Sequence, residues 1–152
     1  MAQSGSALPS GGRGRRFESS HPDHFFHAQK IMIKSAKYVI AVLDLEVSAA
    51  YYKNVLGFEI REIGDPGWRI FVKDNCCIMA GECPDATPAG ELGDHSYFAY
   101  LELDDIDACF ESVKAAGGEI VKPLRDEDWG MREFTLRTID GHRIMFGQEL
   151  DF

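Results

Sequence analysis

From residue 37 onward the apolar positions alternate between two periods. The run "KYVIAVLD" (37–44) is rich in β-formers and ends at an Asp, after which Val47, Ala50, Tyr51 and Val55 recur at helical spacing until Gly57. The run "YFAYLELD" (97–104) repeats the arrangement, with Tyr97, Ala99, Leu101 and Leu103 on one face of a strand. Ile106, Cys109, Phe110 and Val113 then follow at i, i+3, i+4 and i+7 before Gly117, which predicts a second helix closed at the equivalent place. Three short extended runs follow each glycine: "FEIREI", "WRIFVK" and "CCIMAGE", then "EIVKPL", "REFTLRTI" and "HRIMFGQ". Asp74-Asn75 and Asp140-Gly141 read as two-residue hairpin turns before the last strand of each set. The predicted unit is βαβββ, and it occurs twice.

The chain also repeats itself in its letters. At an offset of 60, Leu43, Asp44, Gly57, Glu59 and Ile60 meet Leu103, Asp104, Gly117, Glu119 and Ile120. At 63, Phe71 meets Phe134, and at 66 Asp74, Ile78, Met79 and Gly81 meet Asp140, Ile144, Met145 and Gly147. Module 1 therefore spans about residues 37–83, a Pro- and Gly-containing linker 84–95, and module 2 about 96–149. One such module leaves a sheet face open. Two can curl together, so the expected architecture is α+β, a half-open barrel with a concave pocket.

Composition changes this picture little. With 45% hydrophobic residues in 152, the chain can build a real core, and no run approaches a membrane span. Residues 1–30, which open "MAQSGSALPSGGRGRR", lack apolar periodicity and read as a disordered arm before a domain at 31–152. His21, His24 and His27 on that arm read as incidental rather than as a metal site. The four cysteines have neither metal-site spacing nor the density of a disulfide scaffold, which predicts reduced thiols and a cytoplasmic protein. The formal charge of −9 argues against nucleic acid and favours cations.

The stretches "VLDLEVSAAYYKNVLGFEI" and "WGMREFTLRTIDGHRIMFGQ" resemble the two signature regions of the vicinal oxygen chelate superfamily. That superfamily includes glyoxalase I, extradiol dioxygenases, and fosfomycin and bleomycin resistance proteins, and the resemblance covers roughly residues 37–149. It implies the paired-module fold, and in many members a homodimer, often with modules exchanged between subunits. It also implies four metal-ligand places, on the first and last strands of each module. Carried onto this chain they fall at Lys37 or Tyr38, Met79, Phe98 or Tyr97, and Met145. Thioethers, an ammonium and a phenyl ring do not hold a hard or borderline divalent cation, so neither the family's metal nor another cofactor is expected.

The phrase "WGMREF" (129–134) is most similar to the bleomycin resistance proteins, which the resemblance describes as binders rather than enzymes. The expected function is sequestration of a small aromatic or cationic compound, with no catalytic residues. Lys37, Trp68, Met79, Phe98, Trp129, Arg132 and Met145 are the candidate contacts. Met79 and Met145 are expected to face the hollow while Ile78 and Ile144 pack beneath the helices, and the two tryptophans to edge the groove. A tryptophan in so small a domain is more often core than ligand platform. The alternative is a metal-dependent lyase, transferase or dioxygenase with shifted ligands. A register slip would bring Glu82 and Gln148, also 66 apart, into the pocket, with Glu102, His95 and His142 as further acid/base candidates.

Overall fold

The structure, a computed structural model, describes residues 31–151, and within them a compact unit begins at Ser35. The expected arm and the three arm histidines lie outside the described residues. Module 1 comprises β1 (Tyr38–Val42), α1 (Leu45–Asn54), β2 (Glu59–Glu62), β3 (Trp68–Lys73) and β4 (Cys76–Glu82). Module 2 comprises β5 (Tyr97–Glu102), α2 (Ile106–Ala115), β6 (Glu119–Asp126), β7 (Met131–Arg137) and β8 (Arg143–Glu149). The two four-stranded sheets have equivalent orders, β1-β4-β3-β2 and β5-β8-β7-β6, with the first pair of each parallel and the others antiparallel. They do not close into one barrel. The linker holds a 3₁₀ segment, Ala89–His95, interrupted at Gly93.

Each helix starts at an Asp because that side chain can accept an N–H the helix leaves unpaired. Asp44 accepts from Val47 and Asp105 from Ala108, both at 3.0 Å, caps worth about 1 kcal/mol each. The side facing the sheet is apolar in both modules. Tyr52 of α1 lies with its ring centroid 4.7 Å from that of Phe71 and 5.5 Å from Phe58. Phe110 of α2 meets Phe134 edge-on at 5.3 Å, and Phe134 stacks on Phe146 at 4.7 Å. Tyr52, Phe58, Phe71, Phe134 and Phe146, with Ile78, Ile106, Leu136 and Ile144, form the buried core, with Phe110 partly buried against it, each full burial stabilising by roughly 1.5–3 kcal/mol.

The modules are also joined to each other. The Ser48 hydroxyl of α1 donates to Asp140 in the β7–β8 loop at 2.7 Å, and Tyr38 meets Phe98 edge-on with centroids 5.8 Å apart. Two local expectations need correction. The Asp74-Asn75 turn has two residues, with Asp74 at φ +49°, but the second hairpin closes through Thr138 N–H to the His142 carbonyl at 2.8 Å and so carries three residues, Ile139 to Gly141. In β5 the simple alternation fails: a bulge at Phe98 shifts the register, so that Tyr97 pairs with Arg143 and Ala99 already with Ile144.

Candidate ligand-binding faces

Each sheet has a helix-covered face and a second face, and the pleat assigns residues between them. On β4, Ile78 and Ala80 are fully buried beneath the helix layer, which turns Met79 and Gly81 to the other side. On β8, Ile144 and Phe146 are buried in the same way, which turns Met145 and Gly147 outward. The two methionines therefore lie on the face opposite the isoleucines, each partly exposed. Across the ladders, Met79 pairs with Val39 and Ile70, and Met145 with Tyr100 and Thr135.

The glycines two residues beyond the methionines make room for aromatic rings. A β-carbon on Gly81 would stand 2.9 Å from the Trp68 ring, and one on Gly147 would overlap the Tyr100 ring and hydroxyl. Only a residue without a side chain lets each ring lie flat across the last strand. The repeated "IM-x-G" is thus a methionine beside a ring-bearing platform, built once per module. Sheet 1 contributes Val39, Trp68, Ile70 and Met79, with Val39 63% exposed.

Sheet 2 adds a buried carboxylate. Glu133, on β7 opposite Gly147, is 3% exposed. Its Oε1 accepts from the Tyr100 hydroxyl at 3.0 Å and from the Trp129 indole N–H at 3.1 Å, while Oε2 takes the Lys122 ammonium at 3.3 Å. The ammonium of Lys122 also pairs with Glu127 and lies 5.5 Å from the Trp129 ring centroid. Burial first, then the bond to Glu133, pushes the Tyr100 hydroxyl up to about 12, so it stays a donor at neutral pH. Trp129 is held at its N–H end yet is 62% exposed. Its indole is thus anchored at one end and open to solvent along its ring.

The remaining predicted contacts lie elsewhere. Phe98, at the bulge, packs against the core beside Tyr38 and meets His142 edge-on at 5.5 Å; Tyr100 takes the place beside Met145 expected for it. Arg132 is bound to Asp126 at 2.7 Å and to Asp107 of α2 at 2.9 Å, which ties it to the helix side. Lys37 stands outside β1, in an exposed coil. Glu133 and Tyr100 were not singled out as ligand contacts from sequence. The offset of 66 between Gly81 and Gly147 was the available signal for the ring platforms; nothing local marked Glu133 as buried.

The shifted metal ligands also have other partners. Glu82 accepts the Leu45 N–H at the start of α1 at 2.9 Å, and Gln148 accepts the Ile106 N–H at the start of α2 at 2.8 Å while donating to the Asp104 carbonyl. Their symmetry is that of a duplicated helix cap. The residues at the places the resemblance gives for the metal ligands, Met79 and Met145, and their ladder partners Val39 and Tyr100, lack the imidazole and carboxylate donors such a cation requires. They do not fit the metal.

A model of the Glyoxalase/Bleomycin resistance protein/Dioxygenase superfamily matches residues 23–146. The chain belongs to this superfamily. Comparison with curated protein sequences gives no match. Among solved structures, a bleomycin resistance determinant encoded on the transposon Tn5 is similar at 23% identity and TM-score 0.65, covering 77% of this chain and 98% of that one. The bleomycin-binding protein of Streptomyces verticillus, complexed with copper(II)-bleomycin, is similar at 20% identity and TM-score 0.61, covering 81% and 100%. A glyoxalase-related enzyme of Clostridium phytofermentans reaches TM-score 0.66 at 14% identity, covering 80% and 99%. Binders and an enzyme thus share the superfamily fold. No helix among the described residues is long and apolar enough to cross a membrane.

Proposed function

We propose that this protein sequesters a small aromatic or cationic compound without a metal and without transforming it. The observation that carries the reading is the fixed, exposed indole of Trp129, held by a buried carboxylate beside Met145 and Tyr100. An indole anchored at one end and open along its ring offers area to a planar ligand at little entropic cost. Met145 adapts to the ligand's shape, and the net charge of −9 draws cations towards it. Trp68 and Met79 form the counterpart on sheet 1. The structures similar to this chain include proteins described as bleomycin-binding, which supports bleomycin as the first compound to try.

Each sheet of one chain leaves its ligand face uncovered, with Val39 and Trp129 both more than 60% exposed. A homodimer in which sheet 1 of one subunit faces sheet 2 of its partner would turn the two faces into two grooves, each with one tryptophan from either subunit. Light scattering on the purified chain should give about twice its 17.0 kDa; a monomer at that mass would remove the groove.

The reading is tested by calorimetry on the full chain in EDTA, titrated with metal-free bleomycin and with a planar cationic dye such as acridine orange. Saturable binding at one ligand per chain, weakened at least about tenfold by Trp129→Ala, is expected. Unchanged affinity in that variant would show that Trp129 is no platform.

A further inference from the structure

A hollow of about 350 Å³ opens between α2 of module 2 and the β3–β4 hairpin of module 1. Cys109, Ser112 and Val113 line it from the helix, Cys76 from the hairpin, and Phe58 and Phe146 from the core. Its counterpart in the repeat is closed. The two helices correspond at an offset of 61, because Asp44 and Asp105 cap their starts. They also end alike, with the Phe58 N–H on the Tyr52 carbonyl and the Gly118 N–H on the Val113 carbonyl. Ser48, Tyr51 and Tyr52 of α1 therefore hold the places of Cys109, Ser112 and Val113.

In the closed seam those three side chains meet the β7–β8 hairpin. The Ser48 hydroxyl donates to Asp140 at 2.7 Å, and the Tyr51 hydroxyl to the Arg137 carbonyl at 3.4 Å. Tyr52 is fully buried, with its hydroxyl close to Thr138 and Asp140. In module 2 a short hydroxyl and a branched aliphatic group stand where the two tyrosines stand in module 1. Phe110, in the place of Ala49, does not restore the lost rings: it packs onto Phe134, 5.3 Å between centroids, and does not border the hollow. Protein interiors pack densely, so a seam short of two phenol side chains keeps room for one.

From this pairing we infer that the open seam binds an uncharged one- or two-ring phenol, whose ring lies where tyrosine side chains lie in the closed seam. The volume is at the small end of the ligand-pocket range, and Phe58, Val113 and Phe146 give the ring an apolar wall. Burial pushes the Cys76 and Cys109 thiols up, so both stay neutral beside it. At the rim, exposed Lys73 is accompanied by exposed Asp74 and Glu102, so the rim charges favour no anion. The two carboxylates are acceptors for a phenol O–H. Tyr100 borders the hollow and also pairs with Met145 on sheet 2, so this site adjoins the ligand face.

The test uses the full chain and p-cresol, the tyrosine side chain as a free molecule, with p-toluate as the anionic control. In an NMR titration p-cresol should bind saturably at one per chain, and p-toluate at least about tenfold more weakly. Bound p-cresol should slow alkylation of Cys76 and Cys109, read by mass spectrometry, and leave that of the exposed Cys83 unchanged. Ser112→Tyr and Val113→Tyr, which restore the tyrosines of the closed seam, should each weaken p-cresol about tenfold and leave acridine orange binding as it is. Ser112 is exposed, so its variant keeps the fold even if tyrosine at the buried Val113 overpacks. Trp129→Ala should weaken acridine orange but change neither p-cresol affinity nor cysteine protection, which distinguishes failure of this site from failure of the aromatic platform. Absence of saturable p-cresol binding, unaltered alkylation of Cys76 and Cys109, p-toluate binding as tightly, wild-type p-cresol affinity in Ser112→Tyr, or its loss in Trp129→Ala would each overturn the assignment.

Discussion

The ring of Tyr100 lies across Gly147, in the space a β-carbon there would occupy. Trp68 lies likewise across Gly81, the glycine 66 residues before Gly147 in the repeat. Gly147→Ala should therefore force Tyr100 off the sheet, break its bond to Glu133, and cost about 1–3 kcal/mol, as overpacking does. Urea unfolding measures the cost. A shift in midpoint indistinguishable from zero would mean the ring moves freely and is no fixed part of the face.

Glu133 holds two aromatic groups through one oxygen atom. Glu133→Gln keeps the shape but turns one acceptor into a donor and leaves Lys122 only its pairing with Glu127. We expect a stability loss of roughly 1–3 kcal/mol and a change in the fluorescence of Trp129, resolved in a Trp68→Phe background. Ligand affinity should fall by a factor closer to Trp129→Ala than to wild type. Equal fluorescence and affinity would show that the carboxylate does not position the indole.

Glu82 and Gln148 provide a paired test of helix capping against metal ligation. Alanine at either position should lower stability by about 1 kcal/mol, in a background already stripped with EDTA, because Leu45 or Ile106 then has an unpaired N–H at a helix start. The two losses should add, since the helices are separate. A loss seen only when a divalent cation is present would point to ligation instead.

Asp140 and His142 couple the modules to pH in opposite senses. Burial raises the carboxyl of Asp140, with Ser48 and His142 opposing, so its contribution is full below the ordinary carboxylate range and is lost as pH rises through the raised value. Asp140→Asn should thus raise Tm at pH 7, with the gain shrinking towards pH 4. Burial lowers His142, with Asp140 opposing, so the neutral ring contributes above about pH 6.5 and that contribution fades as pH falls through the lowered value. His142→Gln should flatten the stability profile below pH 6.5. A parallel profile for wild type and variant would show that the ring is not buried neutral.

Much of the fold was legible because the repeat and the two apolar periods agree. Ile78 and Ile144 had to face the helices, which sent Met79 and Met145 the other way. Phe98 was misplaced for a physical reason: a bulge adds one residue to β5 without changing its composition, and a strict period of two then assigns every position before it to the wrong face. Arg132 was misread because Asp107, its partner on α2, is distant in sequence. The position of Glu133 is likewise set by three residues from three segments, none of which marks it locally.

The central claim is that Met79 and Met145 stand where the superfamily's metal ligands would be, and that the protein binds its ligand without that metal. Elemental analysis tests it most directly, on untagged protein dialysed against Mn²⁺, Fe²⁺, Ni²⁺ and Zn²⁺ and then freed of loose ions, with and without residues 1–30. The account predicts less than about a tenth of a metal per chain in both forms. About one metal per chain, retained without the arm and lost in Glu82→Ala or Gln148→Ala, would contradict it.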